Sequence, residues 1–406
     1  MTVRRQLTAL GFALSLALAV GPGAAVAEVA TPATPDFTTM APTGDYVPPV
    51  TTKVTPYVAG RTLTWTSFDQ LGGNGTIGPD QGTQLRGVAG GVVGIVETGR
   101  DVAAGKAASW VSSDGGVSWT EHLVPAGAAG FGTIAAHGGT FVTFASSFWS
   151  STDGANWTPA ATGPQAIQEV TLAAGPQGFV AFVRNGTGTI TRVWRSPTGA
   201  SDSWVAAPSQ SVVSQFCASS IAATSSRIIA IGYDCRVPSR ARVLVSTTGR
   251  SWINGTVPSG LRVAGTYTRA PSISYVSGRY LVTGSNAGET ATWVWSTANG
   301  VTWRHVSSMP RVKGWTVDTM VDIVRLGPGW LAIGHRDMPA DDAVLVAWRS
   351  ADLVHWSRFS PPTASCDATV HMVSQATVVR GRLVAVGSPW SIGAQCGETW
   401  MAAATR

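Results

Sequence analysis

The sequence predicts an all-β fold, a β-propeller of seven four-stranded blades that an N-terminal strand closes. Three observations support this: a short turn recurs along the chain, each copy follows the same order of short strands, and helix-forming segments are scarce. The 406-residue chain has 47 Gly and 17 Trp, and 12% of its residues are charged. Low charge with frequent turn and β-branched residues favours strands over helices.

The recurring segment, here named the Ser–Trp turn, begins with Ser and ends with Trp. Its copies are residues 112–119, 151–157, 196–204, 246–252, 296–303 and 350–356. Ser or Asp side chains can cap the amides of such a turn, and Gly supplies positive φ. The Trp has the area to cover the gap between neighbouring blades. The copies recur every roughly 40–50 residues, which is the length of one four-stranded blade.

The blade count depends on the N-terminal segment. After Trp356 the sequence has three more strand-like segments, over 370–378, 383–387 and 399–403, but no Trp-led strand. Residues 61–66, which include Trp65, have the form of the missing strand. We expect them to complete the last blade, because this closure removes an open sheet edge and makes seven blades. The alternative is six blades, with residues 61–84 outside the ring.

The N-terminus has the pattern of an export signal, so we expect a secreted or extracytoplasmic protein. Arg4 and Arg5 precede an apolar run over 7–20, and small residues over 25–27 form a cleavage site. The run is shorter than the ~20 residues of a membrane span, so no integral membrane segment is expected after signal removal. The expected domains are 1–27, signal peptide; 28–57, flexible Pro/Thr/Ala-rich leader; and 58–406, propeller.

Charge and cysteines limit the function classes. The formal net charge is +6, but no basic run stands out, so nucleic acid is not an expected partner. A monomer is expected. Export favours disulfides, and the four cysteines lie at the ends of two hairpins, which predicts the pairs Cys217–Cys235 and Cys366–Cys396. A structural role is the main interpretation of these pairs, and a redox role is the alternative.

The loops that enter the innermost strands, and the turns that follow the second strands, lie on one side of a propeller, here named the loop face. Ligands of propellers usually bind there. The polar and aromatic candidates on this face are Asp234, Arg236, His335, Arg336, Asp337, Asp341, Asp342, His371 and Trp390. The main interpretation of the densest cluster, over 335–342, is a solvated loop. Its three Asp side chains would suit calcium, although they match no known loop spacing, and no other metal or cofactor is expected.

The Ser–Trp turn resembles the Asp-box of sialidase-type propellers, whose pattern is Ser-x-Asp-x-Gly-x-x-Trp. Two copies match it well, through Ser112, Asp114 and Trp119, and through Ser151, Asp153 and Trp157. The copy with Ser350, Asp352 and Trp356 is similar to a turn of arabinanase- and invertase-type propellers. The copies that begin at 196, 246 and 296 lack Asp at the third position. In the family this turn lies at the blade edge, so the resemblance implies a fold and a structural role for these residues.

The sialidase resemblance does not extend to the catalytic residues. No Arg-Ile-Pro-like segment occurs near the start of the domain, and no Tyr–Glu pair is evident. Glycosidases of the paired-carboxylate type need two Asp or Glu across a cleft. The candidates are Glu169, Asp318, Asp322 and Asp367, although hydrogen bonding at a buried rim is the favoured interpretation of all four.

The function expected from these observations is a secreted, non-catalytic propeller that binds an extracellular glycan or protein on its loop face. The alternative is a sialidase-like glycoside hydrolase that acts on extracellular carbohydrate. A third hypothesis is an assembly factor for an envelope complex.

Overall fold

The computed structural model describes residues 50–70, 83–101, 105–116, 118–124, 130–161, 167–185, 191–263, 270–286, 290–310, 318–337, 343–361, 372–388 and 397–405. Within these ranges the chain is almost entirely β-structure, and helix is limited to one turn, Ser211–Ser214, between blades 3 and 4. In the same ranges, no helix has the length and apolar character needed to cross a membrane.

Seven antiparallel sheets form the blades of a β-propeller, as the sequence predicts. Strands are given from the innermost to the outermost. Blade 1 contains Thr83–Gly91, Gly94–Asp101, Lys106–Ser112 and Thr120–Leu123. Blade 2 contains Ile134–His137, Thr140–Ala145, Ser147–Ser151 and Thr158–Pro159. Blade 3 contains Ile167–Gly175, Gly178–Asn185, Thr191–Ser196 and Val205–Ala206. Blade 4 contains Phe216–Ala223, Ile228–Asp234, Val237–Ser246 and Ile253–Asn254.

The remaining blades complete the ring. Blade 5 contains Ser272–Val276, Arg279–Asn286, Ala291–Thr297 and Arg304–Pro310, and the short strand Leu261–Arg262 also pairs with its second strand. Blade 6 contains Thr319–Leu326, Gly329–Asp337, Ala343–Ser350 and Ser357–Phe359. Blade 7 contains Met372–Val379, Arg382–Ser388, Gly397–Thr405 and the N-terminal strand Thr62–Gln70.

Blade 7 joins the two ends of the propeller. Thr62–Gln70 pairs with Gly397–Thr405 along its whole length, with Trp65 opposite Ala402. This confirms the seven-blade closure and excludes the six-blade alternative. Val50–Pro56, which lies within the leader that the sequence predicts over 28–57, forms a fifth strand on this blade. Its Val and Thr residues suit a strand, and a Pro is tolerated because this is an edge.

Among the described residues, seven apolar clusters form the core, one between each pair of adjacent blades. Each cluster contains or contacts the Trp that follows the turn, and these are Trp65, Trp119, Trp157, Trp204, Trp252, Trp303 and Trp356. Trp204 of blade 3, for example, stacks on Phe148 of blade 2 with 3.9 Å between ring centroids. The repeated Trp therefore seals the gap between its own blade and the preceding one, as the sequence predicts.

The Ser–Trp turn is held by a small hydrogen-bond network. In blade 2, Ser151 Oγ accepts the N–H of Gly154 at 2.8 Å and donates to Asp153 Oδ1 at 2.9 Å. Asp153 Oδ1 also accepts the N–H groups two and three positions ahead, at 2.9 and 2.8 Å. Trp157 Nε1 donates to the Gly154 carbonyl at 2.9 Å. The side chains thus satisfy amides that the tight turn leaves without strand partners.

Two other copies use Asp in the same way. Ser112 Oγ donates to Asp114 Oδ1 at 2.8 Å, and Ser350 Oγ donates to Asp352 Oδ1 at 3.1 Å. In the last copy Leu353 takes the position of Gly, with φ of 70°.

The structure corrects the register of the blade 5 copy. Thr297, rather than Ser296, accepts the N–H of Gly300 at 2.9 Å. Asn299 then stands at the third position, where its Oδ1 accepts two backbone amides at 2.9 Å. This copy lacks Asp, as the sequence shows, but in the corrected register the Asn side chain supplies the same acceptor. Thr198 and Thr248 stand at that position in blades 3 and 4, and the Oγ1 of each accepts one amide at 3.2 Å.

Candidate functional site

The innermost strands surround a central cavity of about 860 Å³, which residues of all seven blades line. The charged and titratable side chains in its wall include Arg86, Glu169, Asp322, Arg325 and His335. Most other lining residues are small, apolar or hydroxyl-bearing. The cavity and the loop face around its opening are the candidate site.

Several wall hydroxyls are engaged in holding neighbouring blades together. A bulge interrupts strand pairing after Leu85, Ala218 and Met320 on three innermost strands. The carbonyl just before each bulge accepts a hydroxyl from the preceding blade: Ser374 reaches Leu85 at 3.5 Å, Thr171 reaches Ala218 at 2.7 Å, and Ser272 reaches Met320 at 3.0 Å. Because bulges disrupt the strand ladder, these hydroxyls supply hydrogen bonds to carbonyls at the disrupted positions, and the Met320 carbonyl also accepts the hydroxyl of Thr283 at 3.2 Å.

Asp322 lies in the cavity wall on the innermost strand of blade 6. Its carboxylate accepts two hydrogen bonds. One comes from the hydroxyl of Ser274, on blade 5, and the other from the N–H of Ile323, at 2.8 Å. Burial raises the pKa of Asp322 to about 6, although these two donors oppose the shift. The carboxyl group can therefore carry a proton in mildly acidic solution.

Glu169 lies in the wall on blade 3, where it forms an ion pair with Arg184 from the adjacent strand. Burial raises the pKa of Glu169, and Arg184 offsets part of that shift. Arg184 also reaches blade 4, since its Nη1 lies 3.1 Å from Cys217 Sγ. One guanidinium group thus contacts both a wall carboxylate and a disulfide sulfur.

The disulfide Cys217–Cys235 forms as the sequence predicts, with 5.2 Å between the Cα atoms. It links the start of the innermost strand of blade 4 to the residue that follows the second strand. Asp234 Oδ1 accepts the N–H of Arg236 at 2.9 Å. The amide of Gln215 is oriented so that its side-chain oxygen faces Arg236. This oxygen accepts hydrogen bonds from both terminal nitrogens of Arg236, at 3.0 and 3.1 Å.

Arginine side chains cluster at this end of blade 4. Arg236 and Arg240 are exposed on the hairpin that follows Asp234. Burial lowers the pKa of Arg242, Asp234 opposes that shift and Arg240 adds to it, so both charged groups act on Arg242. Arg242 is held by the Val212 carbonyl at 2.8 Å, which leaves Arg236 and Arg240 as the more exposed pair.

Asp318 lies at the loop-face end of blade 6 and is buried with Arg336 and His335. Arg336 forms an ion pair and a hydrogen bond with the Asp318 carboxylate, and Arg358 lies 3.7 Å from its second oxygen. Burial raises the pKa of Asp318, although Arg336 opposes the shift. Arg336, which the sequence offered as a ligand-binding residue, is therefore packed inside the rim, whereas His335, the other such candidate, is buried but also lines the cavity.

The structure does not place the remaining candidates. Asp337 ends a strand of blade 6, but its side chain is outside the described part of the chain. The other undescribed predictions are Asp341, Asp342, Asp367, His371, Trp390 and the pair Cys366–Cys396. The calcium prediction depends on Asp337, Asp341 and Asp342, so it stays a prediction. Among the described residues, no group of three or more His, Cys, Asp or Glu is arranged to hold a metal ion.

Sequence reasoning identified the carboxylates and Arg336 but missed other partners. Ser274 and Arg358, which contact Asp322 and Asp318, were not candidates, and neither was Gln215, which contacts Arg236, because each reaches its partner from another strand or loop. No local motif links them, and a cross-blade contact has no fixed sequence spacing.

Comparisons with known proteins support the fold. No protein-family model matches the chain, and no curated protein matches it. The structure of YCF48 bound to a D1 peptide is similar, with 11% identity and a TM-score of 0.52, over 84% of this chain and 96% of that one. The WD40 β-propeller domain of Doa1 is 9% identical with a TM-score of 0.47, over 79% of this chain and 93% of that domain. At these identities the comparison with YCF48 shows the propeller fold alone.

Proposed function

We propose that this chain is a secreted, non-catalytic β-propeller that binds a protein segment on its loop face. One observation carries this proposal: the three described candidates for catalytic carboxylates are all held by the protein itself. Glu169 pairs with Arg184, Asp318 with Arg336, and Asp322 accepts the Ser274 hydroxyl. A pair of glycosidase carboxylates must instead reach the scissile bond.

The exposed arginines of blade 4 favour an acidic protein segment as the ligand. Arg236 and Arg240 stand on a hairpin at the loop face, and arginine is suited to bidentate recognition of carboxylates. The similar propeller YCF48 was solved with a bound peptide, which is consistent with a peptide ligand here. The resemblance of the Ser–Trp turn to the Asp-box is consistent with a sialidase-like propeller that has kept this turn but lacks the sialidase catalytic residues. A glycan ligand is the alternative occupant of the same face.

Binding to arrays of acidic, neutral and basic peptides, with a glycan array in parallel, tests the proposal. We expect acidic peptides to bind, with affinity that falls as salt is raised. The double variant Arg236→Gln/Arg240→Gln should lose at least about tenfold in affinity. Arg279→Gln is the matched control. Arg279 is exposed on the hairpin between the first and second strands of blade 5, at the end of the blade away from the loop face. Binding of glycans alone, or equal loss in the control, would contradict the acidic-segment proposal.

Asp322 favours a second candidate function, glycoside hydrolysis. Its pKa of about 6 suits a general acid, and Glu169 lies in the same cavity wall. Fluorogenic glycosides test this directly. Turnover that Asp322→Asn abolishes would replace the binding proposal with a hydrolase, whereas binding without turnover supports the proposal.

A further inference from the structure

The two sulfur atoms of the Cys217–Cys235 disulfide have different surroundings. Cys217 is 4% exposed, and its Sγ lies 3.1 Å from Arg184 Nη1. Cys235 is partly exposed on the loop face and is followed by the exposed Arg236. An external thiol therefore has better access to Cys235, whereas a positive charge stands beside Cys217.

This asymmetry matters for thiol–disulfide exchange. The attacked sulfur must be accessible, and the other sulfur must leave as a thiolate. A neighbouring guanidinium stabilises a thiolate, so it assists departure of the sulfur that it contacts. Accessibility and thiolate stabilisation therefore favour the same direction of exchange, in which the external thiol attacks Cys235 and Cys217 leaves.

We propose that the Cys217–Cys235 disulfide is an exchange site, which a dithiol reductant opens by attacking Cys235 while Cys217 leaves as a thiolate paired with Arg184. In the first step a bond forms between the reductant sulfur and Cys235 Sγ, the Cys217–Cys235 bond breaks, and its electron pair stays on Cys217. In the second step the other thiolate of the reductant attacks the mixed disulfide. Cys235 is released and takes a proton from solvent, so the protein gains two electrons and the reductant becomes a disulfide.

The direction of attack is tested first in the unaltered protein. The folded chain is treated with glutathione, and free thiols are then alkylated. Peptide mass spectrometry identifies the modification on Cys217 and on Cys235, in peptides distinct from those that contain Cys366 and Cys396. We expect the glutathione adduct on Cys235 and the alkyl group on Cys217. The reverse pattern would overturn the proposal, as would a disulfide that opens only when the protein unfolds.

The role of Arg184 is tested by variants treated with dithiothreitol. Arg184→Gln should slow opening about tenfold and make the open form about tenfold less populated at equilibrium, which corresponds to about 30 mV. Arg184→Lys keeps the charge and should retain most of the rate. Glu169→Gln removes the carboxylate that shares Arg184, so opening should be faster than in the original chain.

Arg192→Gln is the matched control, because Arg192 is exposed on the next strand of blade 3, opposite Val183. It should leave the opening rate unchanged. Equal rates in Arg184→Gln and Arg192→Gln would overturn the proposal. If Arg184→Gln fails to fold, the position of the glutathione adduct and the opening rate of Glu169→Gln still test the proposal. An opening rate of Glu169→Gln at or below that of the original chain contradicts the role of Arg184.

Discussion

The side-chain amide of Gln375 pairs with the backbone of Ile134 as a strand would. Its Nε2 donates to the Ile134 carbonyl at 2.8 Å, and its Oε1 accepts the Ile134 N–H at 3.2 Å. Gln375 belongs to blade 7 and Ile134 to blade 2, so the contact passes across the innermost strand of blade 1. Gly87 makes room for it, since a Cβ at that position would lie 2.7 Å from the Ile134 nitrogen. One side chain thus links blade 7 to blade 2 across the innermost strand of blade 1.

Replacement of Gln375 by Ala should lower the free energy of unfolding by about 1–3 kcal/mol. The reason is that both backbone groups of Ile134 lose their partner in a partly buried position. Gln375→Glu should also destabilise the protein, because a carboxylate cannot donate to the Ile134 carbonyl. Thermal or urea unfolding measures both changes. Thr377→Ala, two residues along the same strand, is the control, and a loss there as large as in Gln375→Ala would contradict the assignment.

Asp322 should make stability depend on pH. Its pKa of about 6 in the folded chain lies above the ordinary value of 3.8. The folded state therefore holds the proton more tightly, so the contribution is fully present below about pH 4 and is lost as the pH rises through about 6. Asp322→Asn stays neutral and can still accept from Ser274. It should raise Tm relative to the original chain at pH 7.5 and give no gain at pH 4.

The control for this prediction is Asp202→Asn, an exposed position in blade 3. Its Tm difference from the original chain should not change between these two pH values. A Tm difference for Asp322→Asn that is the same at both would show that the carboxyl group does not titrate as described.

Trp65 should contribute strongly to the stability of the propeller, although it lies near the start of the described part of the chain. It is fully buried between blades 6 and 7, with its ring 5.6 Å from that of Phe359. Trp65→Ala should cost about 3–5 kcal/mol, as expected for loss of a buried aromatic side chain. Val54→Ala, on the exposed face of the fifth strand, should change stability by less than about 0.5 kcal/mol. Guanidinium unfolding that showed similar losses in the two variants would contradict the role of Trp65 in closure.

The fold was accessible from the sequence because its signals are local. The hydrogen bonds of the turn at Ser151 join residues a few positions apart, and Trp65 carries the same Trp-led pattern as the complete units. The fifth strand, Val50–Pro56, was missed because its Pro and Thr content resembles a leader. The blade 5 turn was placed one residue early because Ser296 and Thr297 are chemically similar, and only their hydrogen bonds distinguish them.

The site was less accessible because its contacts cross between strands and blades. The sequence indicated that Glu169 and Asp318 lie at the rim, but not that Arg184 pairs with Glu169 or that Arg336 pairs with Asp318. It paired Cys217 with Cys235 from hairpin geometry, yet the contact with Arg184 comes from another blade. Such contacts depend on blade packing, which residue spacing does not determine.

The blade 4 turn should be improved by Thr248→Asp. Thr248 Oγ1 accepts one amide, from Arg250 at 3.2 Å, whereas Asp153 accepts two in the equivalent turn of blade 2. Burial raises the pKa of Asp153, but these amides and the side chains of Asn156 and Ser151 outweigh it and hold the pKa well below its ordinary value. A carboxylate at 248 should therefore stabilise the protein by about 1 kcal/mol at pH 7. Because the folded pKa would be lowered, the gain should disappear as the pH falls through the titration range of the carboxyl group. Thr247→Asp adds the same charge one residue away from the accepting position, so thermal unfolding should show no comparable gain there.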